Sequence, residues 1–279
     1  MIIDVSEWKR DTKSQASGTR AKFWIIDPFD DQKYLFKVPT KGTGEYWAEF
    51  IASRVGQILD INIMEVNLAS YKGIVGTIAK NFVNVREEFY EGGDLFFTLY
   101  DDFDRYNLQY YEFFNIIQLL SEYNLEKDFI TIPVFDAFIG NQDRHCDNWG
   151  IIMSKEGFRL SPIYDNGSSM GFNLQPERIK KMLQDPVMLK AYCRRGTSLI
   201  GLPEKRKPKH TELLSVIDNT FPFETRQALD KINNLDHSMI GKVLDEIPSS
   251  SMTDLYKEWI LKLLIYRKEW LINWYKGRE

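Results

Sequence analysis

The sequence predicts an α+β fold in which a small, β-rich N-terminal part precedes a larger and mainly helical C-terminal part. Short β-prone runs bounded by turn residues occur early in the chain, at 23–26, 34–39 and 74–83. Apolar residues at helical spacing dominate later segments, at 110–120, 128–138 and 254–275. We therefore expect two units, 1–85 and 86–279.

The overall composition excludes several classes of protein. With 279 residues the chain is long enough for two lobes that share one cleft. A formal net charge of −4 and a pI near 5.6 argue against a general nucleic-acid binder. The chain shows no membrane-spanning apolar run and no basic-then-apolar leader, and its two cysteines make neither a disulfide framework nor a zinc site. We therefore expect a cytoplasmic protein with no membrane association and no direct nucleic-acid binding.

The most informative segment is the polar loop 140–150, which follows an apolar helix and precedes an apolar strand. It places Asp143 and Asn148 five residues apart. In phosphoryl-transfer enzymes this spacing lets the Asp orient a substrate hydroxyl while the Asn holds Mg²⁺. The spacing therefore predicts Asp143 as a catalytic base and Asn148 as a metal ligand.

A two-stranded return follows this loop. Residues 149–153 are typical of a short buried strand, 154–157 of a turn, and 158–164 of a second strand that delivers Asp165. A return of this length brings Asp165 beside Asn148, and Mg²⁺ prefers such oxygen ligands together with phosphate and water. The residues alone therefore predict a site for a magnesium nucleotide, with Gly167 freeing the backbone after the ligand.

The order of residues in the loop resembles a known family. Ordinary eukaryotic protein kinases have His-Arg-Asp, whereas here Asp143 is followed by Arg144 and His145. The resulting Asp-Arg-His-x-x-Asn order is similar to phosphoinositide lipid kinases and to bacterial HipA-like serine/threonine kinases. The flanking segments 136–141 and 149–150 resemble the HipA-like branch, over roughly residues 14 to 172. The resemblance implies a two-lobed protein-kinase-like fold that holds ATP and Mg²⁺ between its lobes.

Such a kinase needs a Lys on a strand to pair with the phosphates and a Glu on the next helix to hold that Lys. The run 34–39 supplies Lys37, and the helical pattern after residue 44 carries Glu45 and Glu49 on one face. The helix macrodipole favours acids in the first turn, which explains Glu45 without any function. Glu49 lies deeper in the helix, which favours it as the partner of Lys37. The family comparison favours Glu45, so both acids stay open as partners of Lys37.

A phosphate-covering loop is expected before the Lys strand. The candidate segment contains Ser14, Ser17 and Gly18. Small hydroxyl residues and backbone N–H groups can hold phosphate oxygens at such a turn, although an ordinary hairpin connection explains the same residues. The resemblance implies that Ser14 or Ser17 is autophosphorylated.

Further residues near the expected cleft have two interpretations each. By analogy of fold, adenine should lie against the connector from Lys80 to Phe82. His145 is expected to orient the loop or contact phosphate. Arg144 is expected either to hold γ-phosphate oxygens or to form an internal ion pair.

Charge is distributed unevenly along the C-terminal unit. The stretch 87–104 is acidic; a solvated loop is the favoured interpretation, and an acidic rim that favours basic substrates is the alternative. Ten basic residues follow between Arg178 and Lys209. A solvated surface is the favoured interpretation of that stretch, and docking of an anionic partner surface or of a tRNA-bearing protein is the alternative.

The resemblance implies an ATP- and Mg²⁺-dependent serine/threonine protein kinase that acts as the toxin of a toxin–antitoxin pair. An antitoxin would be its partner, and a translation component such as an aminoacyl-tRNA synthetase would be its protein substrate. Three alternatives stay open: a phosphoinositide-type lipid kinase, a nucleotide-binding pseudokinase that serves as an interaction module, and an adenylyl transferase on the same fold.

Overall fold

The N-terminal part of the chain is a sheet with one helix packed on it. The computed structural model describes residues 2–13 and 21–277. Within them, six strands pair in the order β1-β5-β6-β4-β3-β2, with β1 parallel to β5 and the other neighbours antiparallel. The strands are β1 Ile3–Asp4, β2 Lys9–Arg10, β3 Lys22–Ile26, β4 Lys33–Lys37, β5 Val66–Tyr71 and β6 Ile74–Lys80.

Helix α1, Glu45–Ile58, follows β4 and packs on β5 and β6. Its face toward the protein core carries Ala48, Ile51 and Val55, all fully buried. This three-to-four spacing is the amphipathic pattern that the sequence predicts. Because the helix is held by its apolar face, its polar residues in the first two turns are aimed at the end of β4.

The C-terminal part is mainly helical. It also contains a small three-stranded sheet, formed by β7 Glu88–Glu91, β8 Gly150–Ser154 and β9 Gly157–Leu160. The helices that follow α1 are α2 Gly92–Leu99, α3 Phe113–Ser121, α4 Glu126–Phe129, α5 Thr131–Ile139, α6 Pro176–Gln184, α7 Pro186–Arg194, α8 His210–Thr220, α9 Pro222–Asn233, α10 His237–Asp245 and α11 Asp254–Tyr275. The predicted α+β class, with strands first and helices later, is confirmed.

Several local predictions need correction. Most of the acidic stretch 87–104 is not a loop: residues 88–99 form β7 and α2, because Leu95 and Phe96 are buried. The strand predicted to reach residue 164 ends at Leu160, since Pro162 cannot donate a ladder hydrogen bond. The helix predicted over 128–138 is divided between α4 and α5.

The boundary predicted at residue 85 lies in the irregular stretch 81–87, between β6 and β7. Its position stays a prediction. Among the helices of the described residues, none combines the length and the apolar character that crossing a bilayer requires.

Candidate active site

Lys37 is the last residue of β4, and its ammonium group contacts two carboxylates. Nζ donates to Glu49 Oε1 at 3.2 Å and to Asp165 Oδ1 at 3.2 Å. The Lys37 side chain is 18% exposed. Burial alone lowers the pKa of Lys37, but Asp165 and Glu49 outweigh it and raise that pKa above its usual value. The three residues come from β4, α1 and the segment after β9, so this cluster joins the two parts of the chain.

The structure distinguishes the two acids that the sequence leaves open. Glu49 contacts Lys37, whereas Glu45 accepts hydrogen bonds from the Thr40 N–H at 2.8 Å and the Thr40 hydroxyl at 3.2 Å. Glu45 is the first residue of α1 and lies one turn nearer its start. It therefore holds the turn that leads into the helix, while Glu49 reaches the end of β4.

The loop that carries Asp143 begins where α5 ends. Gly140 terminates the helix in the left-handed conformation, at φ 71°, which glycine adopts without steric cost. The Asn141 amide then donates to Asp136 Oδ1 at 2.9 Å and accepts from the Asp143 N–H at 3.1 Å. This amide fixes the backbone just before Asp143.

Asn148 closes the same loop from its other end. Its Nδ2 donates to the backbone carbonyl of Asp143 at 2.7 Å. The carboxylate of Asp143 accepts a hydrogen bond from the Ser168 hydroxyl, at 3.3 Å from Oδ2. The five-residue spacing read from the sequence therefore corresponds to a direct bond across the loop.

Arg144 is buried behind the loop and uses all five of its N–H donors inside the protein. Nε and Nη2 donate to the two carboxylate oxygens of Asp136 at 2.9 and 2.7 Å. Nη1 donates to the carbonyl oxygens of Asn148 and Tyr164 at 2.8 and 2.6 Å, and Nη2 donates to Asn166 Oδ1 at 2.7 Å. No donor is left for a γ-phosphate, so the internal ion pair is the interpretation that the structure favours. Arg144 instead holds the loop and the segment after β9 side by side.

The segment that carries Asp165 has a constrained backbone. Asp165 itself has φ 56°, which is uncommon for a residue with a side chain. Gly167 needs its lack of a side chain for another reason than predicted: a Cβ there would lie 3.2 Å from both the Glu45 carbonyl and Glu49 Oε2. The unusual backbone conformation expected at Gly167 therefore occurs at Asp165. The missing side chain of Gly167 lets this segment approach α1 closely.

His145 orients the loop. Its Nδ1 accepts a hydrogen bond from the Asp147 N–H at 3.3 Å, at the start of the short 3₁₀ helix Cys146–Asn148. His145, Cys146 and Asp147 together place potential metal ligands within 4.8 Å of one another. However, Asp147 Oδ1 accepts from Arg105 at 2.9 Å, and burial, with Asp147, strongly raises the pKa of the Cys146 thiol. Because Asp147 Oδ1 and His145 Nδ1 are already engaged in hydrogen bonds within the protein, this cluster fits a structural role.

The predicted connector borders an apolar cluster. Phe82 and Tyr164 pack on Met64, Val66 and Ala79. The rings of Phe82 and Tyr164 are 5.6 Å apart, between centroids. By contrast Lys80, the last residue of β6, has an exposed side chain, so only its backbone can face this cluster.

Lys22 is a further residue of the cleft, and the sequence did not identify it. It lies directly opposite Lys37 in the β3–β4 pair, and opposite residues of an antiparallel pair share one face of the sheet. Burial lowers the pKa of Lys22, with a further lowering by Lys37 that Asp165 opposes. The signal available in the sequence is a lone lysine that opens an apolar strand next to the predicted phosphate loop. Ser14, Ser17 and Gly18 of that loop lie outside the described residues.

Three comparisons with known proteins agree on one family. The chain is 24% identical, over 264 residues, to the serine/threonine-protein kinase CtkA of Helicobacter pylori, covering 88% of this chain and 79% of that protein. The crystal structure of the H. pylori proinflammatory kinase CtkA superposes with a TM-score of 0.84 at 21% identity, over 100% of this chain and 97% of the other. HipA, in a Shewanella oneidensis complex of HipA, HipB and operator DNA, superposes with a TM-score of 0.66 at 13% identity, over 98% and 68%.

These similarities confirm the predicted two-lobed kinase-like fold and the assignment to the kinase class of enzymes. The family model described as HipA-like C-terminal domain matches residues 14–185, which is more than half of the chain. That span contains Lys37, Glu49, Asp143, Asn148 and Asp165, so the match covers the whole cluster described above. The protein belongs to the HipA-like C-terminal domain family.

Proposed function

We propose that this protein is an ATP- and Mg²⁺-dependent serine/threonine protein kinase of HipA-like type. The observation that carries the proposal is the simultaneous contact of Lys37 with Glu49 and Asp165. In active protein kinases the Lys–Glu ion pair and the metal-binding Asp must be in place together. A binding module without activity has no need for this complete set, so the contact favours an enzyme.

The donor atoms around Asp165 fit Mg²⁺. Asn148 uses its amide nitrogen on the Asp143 carbonyl, which leaves its Oδ1 as the atom able to bind a cation. With an Asp165 carboxylate oxygen this makes two hard oxygen donors, and Mg²⁺ binds such groups while keeping water and phosphate oxygens. Magnesium ATP would supply the phosphoryl group and a metal that neutralises its developing charge. The apolar cluster at Phe82 and Tyr164 suits an adenine ring.

Each residue of the cleft has one task in this mechanism. Asp143 orients the substrate hydroxyl and accepts its proton on a carboxylate oxygen, a contribution of about 10²–10⁴ in rate. Lys37 binds phosphate oxygens, and Glu49 keeps its ammonium group in position. Arg144 keeps the Asn148 and Tyr164 backbones adjacent, which holds the two proposed metal ligands at one place.

The proposal is tested by phosphate transfer. Purified protein is incubated with Mg-ATP, alone and with a cell lysate, and compared with Asp143→Asn and with the surface control Asp230→Asn. We expect wild type and control to transfer labelled phosphate to protein serine or threonine, or to gain about 80 Da themselves, and Asp143→Asn to lose this.

Other outcomes distinguish the alternatives. A gain of about 329 Da would indicate adenylyl transfer. Label in phosphoinositide rather than protein would indicate a lipid kinase. Tight Mg-ATP binding with no transfer to any acceptor would contradict the proposed function in favour of an interaction module.

The proposal extends to the cellular role. HipA, the structural neighbour, belongs to a toxin–antitoxin system and is bound there to HipB and operator DNA. We propose a toxin kinase that acts in the cytoplasm on a translation component such as an aminoacyl-tRNA synthetase, is bound by an antitoxin, and modifies its own Ser14 or Ser17. Induced expression should then arrest growth, and Asp143→Asn should not. Peptide mapping that finds both serines unmodified would contradict the self-modification.

A further inference from the structure

The basic stretch before residue 210 is tied to the catalytic loop. After α7, the segment 195–209 is irregular, and Thr197 within it contacts Gln142. The Thr197 N–H and hydroxyl both donate to Gln142 Oε1, at 3.2 and 3.4 Å. Gln142 immediately precedes Asp143. The basic segment therefore lies against the neighbour of the proposed catalytic base, which the spacing of 55 residues in sequence does not reveal.

Three exposed cations lie near Thr197, two along the chain and one across an isolated β-bridge. Arg194 ends α7 and Arg195 follows it. Lys209 is paired with Thr197 in an isolated antiparallel bridge, which a hydrogen bond from the Ser198 N–H to the Pro208 carbonyl at 2.9 Å extends. We name Arg195 and Lys209 the Thr197 surface; Arg194 takes part in another interaction and is not counted.

Glu212 is the acid next to this surface. Glu212 accepts from Lys205 Nζ at 2.7 Å and from the Lys209 backbone N–H at 2.7 Å. The side-chain ion pair of Glu212 is with Lys205, outside the surface, although the charge of Lys209 also acts on Glu212. The Thr197 surface keeps a positive charge beside the loop on which a substrate hydroxyl would be activated.

We propose that the Thr197 surface binds acidic residues flanking the phosphoacceptor, so that the enzyme selects serines and threonines in acidic segments of a protein. The inference rests on the proposed function, since it names the substrate class of the same site. Opposite charges beside the reacting hydroxyl favour acidic sequences in encounter and in binding. An acidic protein fits better than a nucleic acid, because nucleic-acid binding depends on neutralising many phosphates with basic side chains and this chain has a net charge of −4.

The test is a selection among many sequences. A chymotryptic digest of a bacterial proteome is treated with phosphatase, incubated with the enzyme and Mg-ATP, and mapped by mass spectrometry. Acidic residues should be enriched within about three positions of the modified site, the reach of a side chain from an extended peptide. Two synthetic serine peptides, with Glu or with Lys at the enriched positions, then give kcat and KM.

Charge variants assign the selection to this surface. Arg195→Ala and Lys209→Ala should each raise KM for the acidic peptide about 3-fold, the usual scale of an exposed ion pair, with kcat unchanged. Arg195→Glu should reverse the preference toward the basic peptide, a gain that misfolding cannot produce. Gln142→Leu changes no charge but releases Thr197 and should weaken the preference. Arg226→Ala, on the outer side of α9, serves as the matched control and should change nothing.

The outcomes distinguish failure of the inferred preference for acidic substrates from failure of the proposed kinase function. Transfer to peptides without acidic enrichment, or a preference that survives Arg195→Glu, would overturn the inference and leave the kinase proposal standing. Transfer to no peptide and no protein would overturn both. Inhibition by an RNA oligonucleotide at concentrations at which the acidic peptide is ineffective, lost in Arg195→Glu, would assign the surface to nucleic acid instead.

Discussion

Lys37 and Arg144 are two cations of the same site that are held in different ways. Lys37 has two carboxylate partners, at 3.2 Å each, and stays 18% exposed. Arg144 is 1% exposed, and all five of its donors are bonded within the protein. Lys37 can exchange a carboxylate partner for a ligand, whereas Arg144 has no N–H donor left for one. A charged residue near a reaction centre therefore acts directly or as a support according to its remaining hydrogen-bond capacity.

The largest expected effect is on stability, at the saturated cation. Arg144→Met should lower the free energy of unfolding by about 3–5 kcal/mol, because it leaves the carboxylate of Asp136 buried without its partner. Urea denaturation measures this. Arg226→Met, which breaks only an exposed pair with Asp230 on α9, should change stability by less than about 0.5 kcal/mol. Equal small losses in both variants would contradict the contrast.

Lys37→Met should show the opposite pattern. Phosphate transfer should fall by about 10²–10³, the scale of removing one preorganised electrostatic group. Stability should fall less than in Arg144→Met, by about 1–3 kcal/mol, since Asp165 is 25% exposed and can be solvated, whereas Glu49 is left buried without its partner. Transfer kinetics and urea denaturation on the same sample provide both numbers. A stability loss as large as that of Arg144→Met would remove the distinction between the two cations.

Burial of His210 should also make the stability of the protein depend on pH. His210 is 1% exposed, and burial, together with Arg267, lowers its pKa to about 3. As pH falls below about 6.5, the unfolded chain takes up a proton that the folded chain refuses until about pH 3, so stability declines through that window. From pH 7 to pH 5 this amounts to about 2 kcal/mol.

The measurement for His210 compares slopes of stability against pH. His210→Phe should flatten the decline between pH 7 and pH 5, whatever its effect on absolute stability. His237→Phe, at the exposed start of α10, should keep the wild-type slope. An unchanged slope in His210→Phe would exclude this histidine as the cause.

The smallest expected effect concerns Lys22, which shares a sheet face with Lys37. We expect Lys22 to contact phosphate, so Lys22→Met should weaken ATP binding about 10-fold, as loss of one charge-assisted hydrogen bond does. Adenosine binding should not change. Lys33→Met, which removes a lysine at the other end of β4 paired with Asp11 at 2.7 Å, is the control. Equal weakening for ATP and adenosine, measured by calorimetry, would exclude a phosphate contact.

The sequence identified which residues of the loop and hairpin come together better than it identified the contacts that support them. Asp143, Asn148 and Asp165 were found because their spacing is local, within one loop and one hairpin, and their roles stay proposals. The choice between Glu45 and Glu49 needed the depth at which α1 packs on the sheet. The saturation of Arg144 needed acceptors from three separate segments, at Asp136, at Asn148 and at 164–166, which no local pattern shows.

By itself, the sequence determined the α+β class, the helix Asp254–Tyr275 and the family, because periodicity and motif order are properties of neighbouring residues. Tertiary structure alone decided that Lys22 and Lys37 share one face of the sheet and that Thr197 donates a hydrogen bond to Gln142. Those contacts depend on strand register and on packing between distant segments. Register and packing are fixed by burial of the whole core rather than by any residue near the site.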